Sequence, residues 1–254
     1  MSAASPFSWK SSARSDVGVV RDINEDAFLE LTEIGLWVVA DGMGGHSAGD
    51  MASGGIVETL STVPEIHTLA GSVDDIELRL VQLNTRLREI AAKQGVHTIG
   101  STVVALVAAG RHCVCLWAGD SRIYRFRDGE LEQLTQDHAL VEELVEKGVL
   151  RPEEAAGHPQ SNLVTRAVGA GETLNLDLEI FELEQDDQFI LCSDGLDKEL
   201  PAEDIAKLAG TEPVENLSDA LVELTVERGA RDNVTVVCMQ VIGPTDTSLG
   251  TVTE

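Results

Sequence analysis

The sequence predicts an α+β fold, and three of its features do so. Strand-like apolar runs come in blocks with helical patterns set between them, which argues against the regular alternation of a doubly wound sheet. The 254 residues are 43% hydrophobic, enough for a full core and too apolar for a disordered chain. No linker, internal repeat or low-complexity segment divides them, so one domain is expected over residues 11–243, between short tails at 1–10 and 244–254.

Taken in order, residues 1–10 are mostly small and polar and lack the apolar stretch of an export signal. Residues 11–31 read as two strands around a loop at 20–25, and 35–40 as a third. That third run, ending Val38-Val39-Ala40, stops at Asp41, after which Gly42, Gly44 and Gly45 fill three of four positions. A helix over 50–60 follows directly, so its N-terminus would face and favour an anionic site built by the glycine loop. The longest helical pattern covers 73–93. Ile76, Leu80, Leu83, Leu87, Ile90 and Ala91 keep its period, Asp74 and Asp75 fall in its first turn, and Gly95 lies just past its end.

Residues 102–108 are almost unbroken apolar, as in a strand covered on both faces. Strands at 112–117 and 122–127 follow, and Asp128-Gly129 marks a hairpin turn. Residues 137–171 hold short helical pieces and a Gly157-His158-Pro159 break, but no long apolar element. Strands at 174–183 and 188–193, helices at 202–208 and 214–228, and a strand at 233–242 complete the chain.

Acidic residues stand at the ends of these apolar runs: Asn24-Glu25-Asp26, Asp41, Gly119-Asp120-Ser121-Arg122, Ser193-Asp194-Gly195 and Arg231-Asp232-Asn233. Strand ends tend to meet at one rim of a sheet. Carboxylates gathered there cannot all ionise unless cations neutralise them, so the pattern predicts a metal cluster. Asp41 at a strand end, with glycines that let a main-chain carbonyl turn inward, suits a hard cation.

Arg21-x-x-x-Glu25-Asp26, Asp41-Gly42-x-Gly44-Gly45, Gly119-Asp120-Ser121-Arg122, Ser193-Asp194-Gly195 and Asp232-Asn233-x-Thr235-Val236 stand in an order that resembles the metal-dependent Ser/Thr protein phosphatases of the type 2C class, and their bacterial members most of all. The resemblance runs over about residues 16–241. It implies a four-layer α/β/β/α sandwich of two antiparallel sheets flanked by helices, with a binuclear metal site at one edge and residues 137–171 as a flap beside it. The implied reaction is hydrolysis of phosphoserine and phosphothreonine by a water activated between two divalent cations about 3.5 to 4 Å apart. Oxygen-only ligands point to Mn²⁺ or Mg²⁺.

By the same resemblance, Asp41 bridges both ions, the Gly42 carbonyl and Glu25 serve one, and Asp194 and Asp232 serve the other. Asp26 stands behind them and orients metal-bound water, and Asn233 also stands behind them. Asp120, with Asp194, is the donor pair for a third, weaker ion. Arg21 would grip the phosphate, which its planar fork suits.

Two positions depart from the family. Met43 stands where eukaryotic members carry a histidine taken to protonate the leaving group, so that acid has no candidate. Asp197-Lys198 follows Asp194-Gly195-Leu196 where an aromatic or small residue and then an acid are commoner. Thr102 matches a family position and equally suits strand packing. His67, His97, His112, His138 and His158 read as surface or packing residues without a catalytic role.

With 18 basic and 44 acidic residues the net charge is −26, which disfavours nucleic acid and anionic membranes as partners. No apolar run approaches the ~18 to 20 residues of a membrane span, so no membrane insertion is expected. A phosphoprotein is itself anionic, and metals with arginine must reverse the field locally. The partners expected are phosphorylated proteins and a cognate Ser/Thr kinase, with the chain a monomer. Cys113, Cys115, Cys192 and Cys238 lie in apolar settings, as reduced thiols of a cytoplasmic protein would. Two other readings are a catalytically inactive phosphatase-like binding module, which usually lacks a metal carboxylate, and an unrelated cation-binding structural protein.

Overall fold

Strand pairing in the computed structural model, which describes residues 6–44, 48–65, 68–155, 157–160 and 162–243, gives two antiparallel sheets. In the first, β1 (Ser8–Asp16) pairs with β11 (Val234–Ile242), followed by β10 (Gln188–Cys192), β7 (Arg122–Arg127) and β8 (Glu130–Gln133). The second runs β2 (Asp26–Leu31), β3 (Leu36–Met43), β5 (Val103–Ala109), β6 (His112–Ala118) and β9 (Asp177–Glu182), with the two-residue β4 (Gly100–Ser101) on the end of β3.

Period-2 alternation sends the side chains of each strand to two different cores. Trp37, Val39, Val104 and Leu106 of the second sheet meet Phe189, Leu191, Val237 and Met239 of the first. Their neighbours Val38, Ala40, Ala105 and Val107 point outward against α1 (Ala48–Leu60) and α2 (Leu69–Gln94), through Ile56, Leu60, Ile76 and Leu80. On the far side Ile190, Cys192, Val234, Val236 and Cys238 pack on α5 (Asp194–Asp197), α6 (Ala202–Thr211) and α7 (Val214–Glu227). This is the α/β/β/α sandwich, and burial on both faces is why β5 and β11 read as near-continuous apolar runs. The short α3 (Leu140–Glu146) and α4 (Pro152–Ala155) share a separate small cluster around Ala139, Val141 and Ala155.

Several boundaries differ from the sequence reading. β1 begins at Ser8, inside the expected N-terminal tail, because the strand pairs with β11 as far as Ile242 and Trp9 meets the buried Trp37 edge-on at 6.2 Å. Residues 1–5 and the expected tail at 244–254 lie outside the described residues. The longest helix starts at Leu69, capped by Thr68, whose side chain accepts from the Gly71 N–H. It ends as expected at Gly95, in the left-handed conformation. Asp128 and Gly129 both have positive φ, 52° and 85°, the signature of a two-residue hairpin turn. β4, β8 and α5 were not anticipated, and β9 is shorter than the run at 174–183 suggested.

Candidate metal centre

The two sheets end together at one rim, and the acidic residues stand there. Asp26 opens β2 directly opposite Asp41 on β3. Asp120 sits in the turn between β6 and β7, Asp194 begins α5 just after β10, and Asp232 lies two residues before β11. Glu25, Asp41, Gly42, Asp120, Asp194 and Asp232 all line one cleft of about 360 Å³, with Arg21, Asn233 and Lys198. Every residue predicted as an ion ligand therefore reaches the same space. Gly45 and His46 of the glycine loop fall outside the described residues.

The supporting bonds are specific. The Asn233 side chain accepts from the Glu25 N–H at 2.9 Å and donates to the carbonyls of Val17 and Ile23, fixing the loop that carries Arg21. Glu25 Oε1 accepts from the Gly49 N–H at 3.1 Å, in the first turn of α1, so the helix N-terminus does face the anionic cleft. Gly42 is packed so closely there that a Cβ would lie 2.2 Å from the Gly49 carbonyl oxygen and 2.6 Å from that of Glu25. Behind the cleft, Ser193 Oγ donates to Asp26 at 2.7 Å and accepts from the Thr235 N–H. Thr102 Oγ1 accepts from the Asp41 N–H at 3.1 Å and bonds Ser121 Oγ at 2.7 Å, so it positions the end of β3 as well as packing.

The carboxyls are electrostatically strained. Burial pushes Asp41 well above the usual carboxylate range, and Asp26, Asp194, Asp120 and Asp232 add to it. Burial likewise pushes Asp26 and Asp120 up to about 7. Two of the acids have a cationic partner: Arg21 donates to Asp232 Oδ2 at 2.9 Å, and Lys198 pairs with Asp194. Among the described residues no three His, Cys, Asp or Glu side chains close on a point as a finished cage. The acids line the cleft instead, with Asp194 and Asp232 turned toward protein cations. An all-oxygen donor set, in which Asp41 and Asp120 form no direct ion pair among the described residues, fits hard divalent cations.

Lys198, Asn162 and Val164 also line the cleft and were not anticipated there. The one signal for Lys198 was its i, i+4 offset from Asp194, while Asn162 and Val164 come from the 137–171 segment and carry no motif. His138 is buried, as a packing residue would be. Its Nδ1 accepts from the Gly119 N–H at 3.2 Å, its Nε2 meets Asp177 at 3.1 Å, and its ring stacks on Trp117. His97 and His112 are exposed, His158 is half-buried, and His67 lies outside the described residues.

Residues 20–232 match the sequence profile of protein phosphatase 2C. The serine/threonine protein phosphatase PstP of Mycobacterium tuberculosis is 35% identical over 231 residues, which are 91% of this chain and 44% of PstP, so the chain spans less than half that relative's length. A putative protein phosphatase 2C-type of Streptococcus pyogenes is 33% identical over 89% of this chain and 95% of its own. Among solved structures, PppA, a key regulatory component of T6SS in Pseudomonas aeruginosa, superposes with a TM-score of 0.87 at 42% identity, covering 92% of this chain and 98% of PppA. The catalytic domain of PstP in complex with two manganese ions superposes with a TM-score of 0.81 at 32% identity, covering 93% and 99%. With the matching sandwich, these likenesses show that the chain belongs to the protein phosphatase 2C family, in its bacterial branch of metal-dependent Ser/Thr protein phosphatases.

Proposed function

We propose that this chain hydrolyses phosphoserine and phosphothreonine in proteins, with two divalent cations, Mn²⁺ or Mg²⁺, held in the rim cleft. The observation that carries this reading is the convergence of Glu25, Asp41, Gly42, Asp120, Asp194 and Asp232 with Arg21 on one cleft. Asp41 would serve both ions. The Gly42 carbonyl and Glu25 would hold one, Asp194 and Asp232 the other, and Asp120 with Asp194 would be the donor pair for a third, weaker ion. When bound, the ions clamp phosphoryl oxygens and make water acidic enough to react at neutral pH.

The protein's own groups do the rest. Asp26 and Asn233 keep the ligand loops in place through Ser193 and the backbone of residues 17–25. Arg21 spends one nitrogen on Asp232 and brings the rest of its fork to the cleft, where a phosphate dianion can be gripped by parallel bonds. Five acidic and two basic side chains line that cleft, a formal charge of −3, so two divalent ions turn it to +1. That local reversal lets an anionic phosphoprotein approach a chain of net charge −26.

Residues 137–171, which contribute Asn162 and Val164 to the cleft wall, act as the flap. The four cysteines are buried free thiols, in keeping with a cytoplasmic protein; a monomer that opposes a Ser/Thr kinase is part of the same proposal. No helix among the described residues is long and apolar enough to cross a membrane. The test is phosphate release from a phosphothreonine peptide with and without Mn²⁺. Activity should require the metal and vanish with chelator, and full turnover by metal-free protein would overturn the reading.

A further inference from the structure

The two protein cations of the cleft are placed differently. Arg21 comes from a loop and is half-exposed. Lys198 is fixed by a helical turn: its N–H donates to the Asp194 carbonyl at 3.1 Å, one turn back, and its ammonium reaches Asp194 Oδ2. An i, i+4 offset makes that meeting a consequence of the backbone. Two-thirds of the Lys198 side chain is covered. It borders the main cleft and also a second one of about 340 Å³, which runs on past Asp137 and Asp197 toward α3 and α4. Asp120 and Asp194 border both clefts too. Among the described residues, Lys198 is the basic side chain shared by both.

We propose that Lys198 is the resident cation of the third-ion position: its ammonium occupies Asp194 Oδ2, and a third divalent ion binds to Asp120 and Asp194 only by displacing it. This rests on the assignment of those two acids as ion ligands. Lys198 uses one Asp194 oxygen, so the other can still serve the tight pair. A tethered ammonium competes at high effective concentration, which lowers the apparent affinity for a free ion. The two-ion form is then the resting form of this chain, and the third ion enters only at elevated metal.

A helix-stabilising pair with no bearing on metal is the competing explanation, and ion counting separates the two. Calorimetric Mn²⁺ titration of the metal-free full chain, with bound Mn²⁺ counted by paramagnetic resonance, is run on wild type, Lys198→Met, Lys198→Gln and Lys198→Arg. Wild type should take up two ions tightly and a third at higher Mn²⁺. In Lys198→Met and Lys198→Gln the third event should move to roughly five- to tenfold lower Mn²⁺, with the tight pair little changed. Lys198→Arg, which keeps the cation, should behave as wild type. In chelator, the Met variant should melt below wild type, because Asp194 loses its partner among other acids, and saturating Mn²⁺ should close the gap. A third event unmoved in both neutral variants sinks the role of Lys198. Wild type without two tight ions sinks instead the metal reading on which it rests.

Discussion

Burial pushes the Asp41 carboxyl well above its usual range, and four other acids push in the same direction. Asp41→Asn keeps the shape and removes the charge. Turnover should fall by more than the ~10- to 100-fold that loss of a ligand's orienting partner costs, while the metal-free protein should melt higher, since a buried repulsion is gone. Near-normal turnover would show that Asp41 is not a ligand. Arg21 offers a different readout. It should bind the phosphate in the ground state as in the transition state, so Arg21→Ala should raise KM for a phosphopeptide more than it lowers kcat. An unchanged KM would return Arg21 to the role of a partner for Asp232. At this scale the acids that meet in the cleft were legible because each stands in a short motif at a strand end. Thr102 was ambiguous because a β-branched residue in a buried strand looks the same whether it packs or accepts from the Asp41 N–H. Asn162 and Val164 were invisible, since their place in the cleft depends on how the 137–171 segment lies across the rim.

His138 ties two elements together, the 137–171 segment and the β6–β7 turn that carries Asp120. Its backbone N–H donates to the Gly119 carbonyl, and its Nδ1 accepts from the Gly119 N–H. That acceptor must be unprotonated. Burial pushes the ring below its usual 6.5; Asp177 and Asp137 pull the other way, and Arg166 adds to the lowering. The unfolded chain therefore takes up a proton at His138 near pH 6.5 that the folded chain refuses. Stability from this source is full above that pH and falls as pH drops below it, by at most ~1.4 kcal/mol per pH unit. Urea unfolding at pH 7 and pH 5.5 should show a larger loss for wild type than for His138→Gln. Equal losses would mean that the ring protonates freely in the fold. Elements with a long period were legible from sequence, as α2 and β5 were. β4, β8 and α5, of two to four residues, are too short to display one, and β1 owes its first residues to pairing with β11, a partner more than two hundred residues away.

On the scale of the whole molecule, the apolar run of β5 told that both its faces are covered, but not by what. The four-layer order came from the motifs, because a residue's period reports burial and not the identity of its cover. The same architecture decides where metal acts on stability. Asp26 and Asp41 belong to the second sheet and Glu25 directly precedes it, Asp194 and Asp232 flank strands of the first, and Asp120 lies on the turn that passes from one sheet to the other. Ions held among them join the two sheets at the rim while cancelling repulsion in a chain of net charge −26. Binding that favours only the folded state contributes about 2.7 kcal/mol per site at a hundredfold excess over Kd. For a chain of this size, with about 2 to 4 °C per kcal/mol, each tight site should raise the melting temperature by roughly 5 to 10 °C. Diffuse screening of the surface charge would also raise it, so sodium chloride at matched ionic strength is the control and should give a smaller shift. Asp41→Asn changes the net charge by one unit and removes the proposed shared ligand, so it should lose most of the Mn²⁺ shift and keep the salt shift. A melting temperature indifferent to Mn²⁺, alongside phosphate release that still requires it, would place the ions on the substrate and not in the cleft between the sheets.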